Sequence, residues 1–99
     1  MNPIEIIVET TQAIAKDGTN AEAFKKRATV LCQMGQYEDA LKDLEVLIDT
    51  LKVEDAEVYQ LRGSIRMSKG DKKGALEDVK RAMEINPELI KKFEGEYKK

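Results

Sequence analysis

The chain says one thing twice. "QMGQYEDALKDL" at residues 33–44 returns 35 residues later as "SKGDKKGALEDV". Gly35, Ala40, Leu41 and Asp43 are matched by Gly70, Ala75, Leu76 and Asp78. The register extends without a gap, so that AEAFKKRATVLCQMGQYEDALKDLEVLIDTLK (21–52) lies on AEVYQLRGSIRMSKGDKKGALEDVKRAMEINP (56–87). A repeat of this length is one supersecondary unit that cannot bury its own apolar face and must stack on a neighbour.

Local signals divide each copy into two helices. Asn2–Pro3 starts a preceding helix, with Asn accepting from the first-turn N–H groups and Pro preorganised for the first helical position. Ile4, Ile7, Thr11 and Ile14 follow at helical spacing, and Asp17–Gly18 is expected to stop the helix with Gly in the left-handed conformation. The β-branched run 4–8 is also compatible with a strand, but nothing else in the chain offers it a strand partner. Thr19 and Glu22 stand as a capping box for the second helix, which carries Ala23, Phe24, Ala28 and Leu31 on one face and ends at Gly35. A third helix from Tyr37 has Ala40, Leu41, Leu44, Leu47, Ile48 and Leu51 in one stripe. Asp55 caps a fourth with Val58, Tyr59, Arg62, Gly63 and Ile65. Asp71 caps a fifth with Ala75, Leu76, Val79, Ala82 and Met83 inward. Asn86–Pro87 opens a last helix with Leu89, Ile90, Phe93 and Tyr97, fraying after Gly95. Loops this short force antiparallel neighbours.

The ordered set resembles the tetratricopeptide repeat. That family places an aromatic early in the first helix of a unit, a small residue four on, Gly at the turn, Ala early in the second helix, and Pro opening the next unit. The matching residues are Phe24, Ala28, Gly35 and Ala40 in the first copy, and Tyr59, Gly63, Gly70, Ala75, Ala82 and Pro87 in the second. The resemblance implies an all-α fold: an α-solenoid of antiparallel helix hairpins, about six helices in one domain over 1–99. The N-terminal cap helix would cover 1–18, the repeats 20–53 and 55–87, and a C-terminal cap helix 87–99. Small residues let helices approach closely, so Ala28 and Gly63 are expected against Ala40 and Ala75, with Phe24 and Tyr59 filling the gap between hairpins. The departures are Leu47 where a small residue is usual, Lys52 where Pro is usual, and Arg66 and Lys72 where aromatics are common. The second copy should therefore have the thinner core. The spacing exceeds the usual of about 34 by one, which predicts a longer turn between units. Arg27 with Asp43, and Arg62 with Asp78, recur at one spacing, either as charge-assisted hydrogen bonds across each hairpin or as unrelated solvated charges.

Composition narrows the function. Net charge is −2, with 17 basic and 19 acidic residues, which argues against general nucleic-acid binding. Lys91, Lys92, Lys98 and Lys99 form a locally basic end interrupted by Glu94 and Glu96, read as a solvated face rather than a phosphate site. One Cys excludes an internal disulfide and fits a reducing, cytoplasmic setting; Cys32 reads as a half-buried side chain rather than a nucleophile. The start "MNPIEIIVE" has no basic leader, and no apolar stretch approaches a membrane span. There is no His, so no Ser–His or Cys–His pair and no His metal ligand. The adjacent pairs Glu38–Asp39 and Glu54–Asp55 diverge on a helix and cannot clamp a metal. These observations predict no enzyme and no cofactor.

What the resemblance implies is a scaffold that binds a protein or peptide partner on a concave face formed by the first helices of the repeats. The outward positions there are Glu22, Lys25, Lys26, Thr29, Cys32 and Gln33, then Gln60, Leu61, Ser64, Met67 and Ser68. A short peptide with acidic and apolar character would suit them; an ordinary solvated face is the plainer reading. Some family members clamp a C-terminal carboxylate with Lys and Asn. Here Lys25 matches, but Thr29 and Leu61 stand where Asn is needed, so that clamp is not implied. The alternative is self-association as a homodimer through an end face, either Ile4, Ile7 and Ile14 or Leu89, Ile90 and Phe93.

Overall fold

The computed structural model describes residues 1–89, and every regular element among them is helical. We number the helices α1 (Pro3–Lys16), α2 (Ala21–Gln33), α3 (Tyr37–Glu45), α4 (Ala56–Ser68) and α5 (Lys72–Ile85). The all-α class and the expected hairpins are therefore present. The sixth helix expected from residue 87 lies beyond the described residues from Ile90 onward. The chain divides into one unit over Met1–Val53 and another from Glu54 onward.

In the first unit α1 packs on α2, and α2 on α3. Asn2 caps α1 as expected, its Oδ1 accepting from the N–H of Glu5 at 2.9 Å, with Pro3 next. Gly18 is not left-handed; α1 ends at Asp17 in extended backbone. The expected capping box is also corrected. Asn20 is the cap, accepting from the N–H of Ala23 at 3.0 Å, while the Thr19 hydroxyl donates to Asp17 Oδ1 at 2.6 Å. Asp17 had already claimed the hydroxyl, so the cap moved one residue on. Those Thr19 donors, the hydroxyl first and the N–H second, hold the Asp17 carboxyl below its usual range. Gly35 ends α2 at φ +78°, a conformation costly for a residue with a β-carbon.

The core of this unit centres on small residues. Ala28 and Ala40 are both completely buried, with Phe24, Val30, Leu31, Leu44 and Leu47 around them. Thr10 is buried too, and its hydroxyl donates to the Ile6 carbonyl at 2.7 Å, which satisfies it within its own helix. After α3 the backbone opens into one π-helical turn, Val46–Thr50, in which the N–H of Leu51 reaches the Val46 carbonyl at 2.9 Å. Such a turn absorbs one extra residue. The surplus residue expected in the loop thus sits inside the helix. Lys52 then takes φ +56°, which the proline usual at that position cannot adopt.

The second unit is the hairpin of α4 on α5. Asp55 and Asp71 cap the two helices, accepting from the N–H groups of Glu57 and Gly74 at 2.9 Å each. Gly70 closes the turn at φ +85°. A β-carbon on Gly63 would lie 3.3 Å from Asp78 Cβ and 3.4 Å from the Ala75 carbonyl oxygen, so the crossing is as close as the small-residue pattern predicts. Val58, Ile65, Ala75 and Ala82 are buried. Leu76, expected inward, is 61% exposed. The buried seat on that stripe belongs to Asp78 instead.

Candidate functional site

The strongest polar feature of each hairpin is a buried ion pair. Arg27 on α2 meets Asp43 on α3 with both prongs of its guanidinium, Nε donating to Oδ2 at 2.8 Å and Nη2 to Oδ1 at 2.7 Å. Arg62 on α4 repeats this on Asp78, at 3.0 and 2.8 Å. The two-pronged geometry is the strong form of such a contact. It settles the two readings left open by the repeated spacing in favour of cross-hairpin bonds. Bonding from Asp43, above all, raises the Arg27 guanidinium further above its ordinary value.

The copies differ in what surrounds the pair. Arg27 also donates to the Thr11 hydroxyl at 3.2 Å, which ties α1 to the same clasp. In the second hairpin Arg66 adds a further bond to Asp78 Oδ2 at 3.1 Å. Arg66 occupies the register of buried Leu31, and its place in the pair carries no signal in a stripe-based reading. Gly74 makes room for it: a β-carbon there would lie 3.0 Å from Arg66 Cδ and collide with the Asp71 cap. The aromatics belong to the same clusters. Arg27 lies over the Phe24 ring at 5.7 Å, and Arg62 and Arg81 over the Tyr59 ring at 5.6 and 5.9 Å. Phe24 is buried and Tyr59 half-buried within their own units.

Both aspartates are fully engaged, so neither is poised as a general acid or base. No group of three metal-ligating side chains occurs among the described residues. Burial pushes the Cys32 thiol up, away from the thiolate a nucleophile requires. No described helix is long and apolar enough to cross a membrane.

The outward positions named from the sequence fall on two helices in two units. On α2, Glu22, Lys26 and Gln33 are exposed, while Lys25, Thr29 and Cys32 are half-buried. The Thr29 hydroxyl is spent on the Lys25 carbonyl at 2.8 Å. On α4, Ser64, Met67 and Ser68 are exposed, Met67 at 54%. Gln60 and Leu61 are half-buried, so Leu61 is less open than its sequence position suggested. A groove of about 220 Å³ runs between α1 and α2 past Glu9, Thr10 and Ala13 on one side and Ala23 and Lys26 on the other. A second, of about 300 Å³, lies over the Arg27–Asp43 pair between Ile7 and Lys42. Hydrophobic periodicity gave no signal for either.

A family model of the tetratricopeptide repeat matches residues 10–42, beginning within α1, and another matches residues 56–89. No curated protein matches the chain. The two matched segments span about two thirds of the chain, the first running from within α1 through α2 into α3 and the second over α4 and α5; the protein belongs to the tetratricopeptide repeat family, with two repeats.

Proposed function

We propose that this chain is a protein-interaction module whose partner-binding positions are the outward residues of α2 in one unit and of α4 in the other. Tetratricopeptide repeats generally mediate protein–protein interaction. The observation that supports these positions is the contrast between two sides of the same helices. One side is locked by buried pairs, Arg27–Asp43 and Arg62–Asp78. The other presents Glu22, Lys26 and Gln33, and Ser64, Met67 and Ser68, exposed and mixed in character. Rigid helices bearing exposed polar and apolar groups suit an extended segment or an amphipathic helix. A scaffold role without chemistry of its own fits the engaged aspartates and the raised thiol. The test is affinity capture with the intact chain and with a Gln33→Arg/Met67→Arg variant. Proteins retained by the first and lost by the second support the reading. The same set retained by both removes it.

Self-association is the second reading, favoured by Ile4 at 59% and Val8 at 51% exposure on α1. Ile7 and Ile14, first named for that face, are half-buried, and Ile90 and Phe93 of the other face lie outside the described residues. Sedimentation equilibrium distinguishes the two: a concentration-dependent dimer favours assembly, a monomer at all concentrations favours partner binding.

A further inference from the structure

α1 has the register of a second helix in a hairpin. It begins at Pro3, 34 residues before α3 begins at Tyr37. Counted back from the following unit, QAIAKDGTNAEAF at 12–24 matches RAMEINPELIKKF at 81–93, with Ala13 on Ala82 and Phe24 on Phe93. Both comparisons place Ile6, Glu9, Thr10 and Ala13 on Ala40, Asp43 and Leu44 of α3 and Leu47 of the π-helical turn, and on Ala75, Asp78, Val79 and Ala82 of α5. In α3 and α5 this face carries the acid that grips an arginine of the hairpin's first helix.

On this face of α1 Thr10 is buried and Ile6 and Ala13 are half-buried, but the acid is not gripped. Glu9 is exposed, and its carboxylate pairs with no described side chain, whereas Asp43 and Asp78 are 4% and 2% exposed. The 220 Å³ groove lies along it, walled by Ala23 and Lys26 of α2. That volume is below the roughly 300–1,000 Å³ of small-molecule pockets, and suits side chains of a docked helix. Glu9 and Glu22 against Lys26 leave its lining net acidic.

We infer that this groove binds a helix of a partner protein bearing an aromatic residue, an arginine three positions on and a small residue directly after. That arginine bonds Glu9 as Arg27 bonds Asp43. The occupant's chemistry is read from the two helices that already satisfy this face: Phe24, Arg27 and Ala28 in α2, and Tyr59, Arg62 and Gly63 in α4. The groove shares Glu22 and Lys26 with the outward positions of α2, but the bond that defines the inference is made by Glu9 of α1, so its test is separate from the one given above.

The probe is a fluorescent peptide of residues 55–70, lactam-bridged between positions 64 and 68 to hold the helix. Its binding to the intact chain is read by fluorescence anisotropy. The expected result is saturable binding weakened at least tenfold by Glu9→Arg in the chain, or by Arg62→Glu in the peptide. Combining the two substitutions recovers most of the affinity. Circular dichroism checks that Glu9→Arg leaves the fold intact, as an exposed position should. No saturable binding, or binding indifferent to Glu9→Arg, overturns the inference. So does a dimer of the chain that Glu9→Arg dissolves, because a second copy is then the occupant.

Discussion

Replacing Asp78 by Asn removes one charge and almost no volume. Three guanidinium N–H groups converge on this carboxylate, two from Arg62 and one from Arg66. An amide offers one oxygen. Whichever way it turns, at least one N–H then faces an NH2 group that cannot accept. The Arg62 side chain is 13% exposed, so its charge has little water to turn to. Breaking a buried pair from one side costs about 3–5 kcal/mol. Arg66, at 29% exposed, can swing outward, which places the expected loss near the lower end, about 3 kcal/mol. For a chain of this size that lowers the melting temperature by roughly 12–24 °C. Urea and thermal unfolding followed by far-UV circular dichroism at neutral pH read it directly. The loss should persist at high salt, because a buried pair is poorly screened. A loss under about 1 kcal/mol, or a double-mutant cycle with Arg62→Gln showing coupling under about 0.5 kcal/mol, would refute the reasoning.

Ala75→Leu should overpack the α4–α5 crossing and cost roughly 1–3 kcal/mol, and an unchanged melt would contradict the close approach at Gly63. Gly74→Ala gains about 1 kcal/mol of helix propensity but displaces the Asp71 cap, worth about the same, so denaturation should show no stabilisation. Lys52→Gly should relieve the left-handed backbone and stabilise the chain by about 1 kcal/mol in urea titration. Asp17 has a lowered carboxyl pKa, so its contribution is present above the unfolded value, near 3.8, and is lost as pH falls through the folded one. Asp17→Asn should accordingly flatten the acid limb of a stability–pH profile.

Much of this fold was legible because it rests on repeated spacing. Gly35 and Gly70, Ala28 and Gly63, Ala40 and Ala75 stand where close approach or positive φ demands them, and that demand leaves few substitutes. The pairing of Arg27 with Asp43 was legible for the same reason, as a separation occurring twice. Competition between neighbours leaves no such spacing. Thr19 and Asn20 are both good caps, and the choice turned on Asp17 claiming the hydroxyl. Leu76 reads as inward on its apolar character, yet the buried stripe includes an aspartate, which no hydrophobic count will select. The π-helical turn at Val46–Thr50 and the part Arg66 takes in the pair follow from three-dimensional fit and leave no periodic trace. Glu9 leaves no trace in a hydrophobic pattern, and its register with Asp43 follows from α1 beginning 34 residues before α3.

Arg27 and Asp43, like Arg62 and Asp78, are 16 residues apart in the chain, and Arg66 is 12 from Asp78, so every member of a pair lies within one hairpin. A hairpin therefore carries its own countercharge wherever it goes. Duplicating or excising a whole one strands no buried ion, whereas a break between positions 27 and 43, or between 62 and 78, would orphan one. Cuts at the joints should therefore leave every pair whole, and cuts inside a unit should cost it its pair.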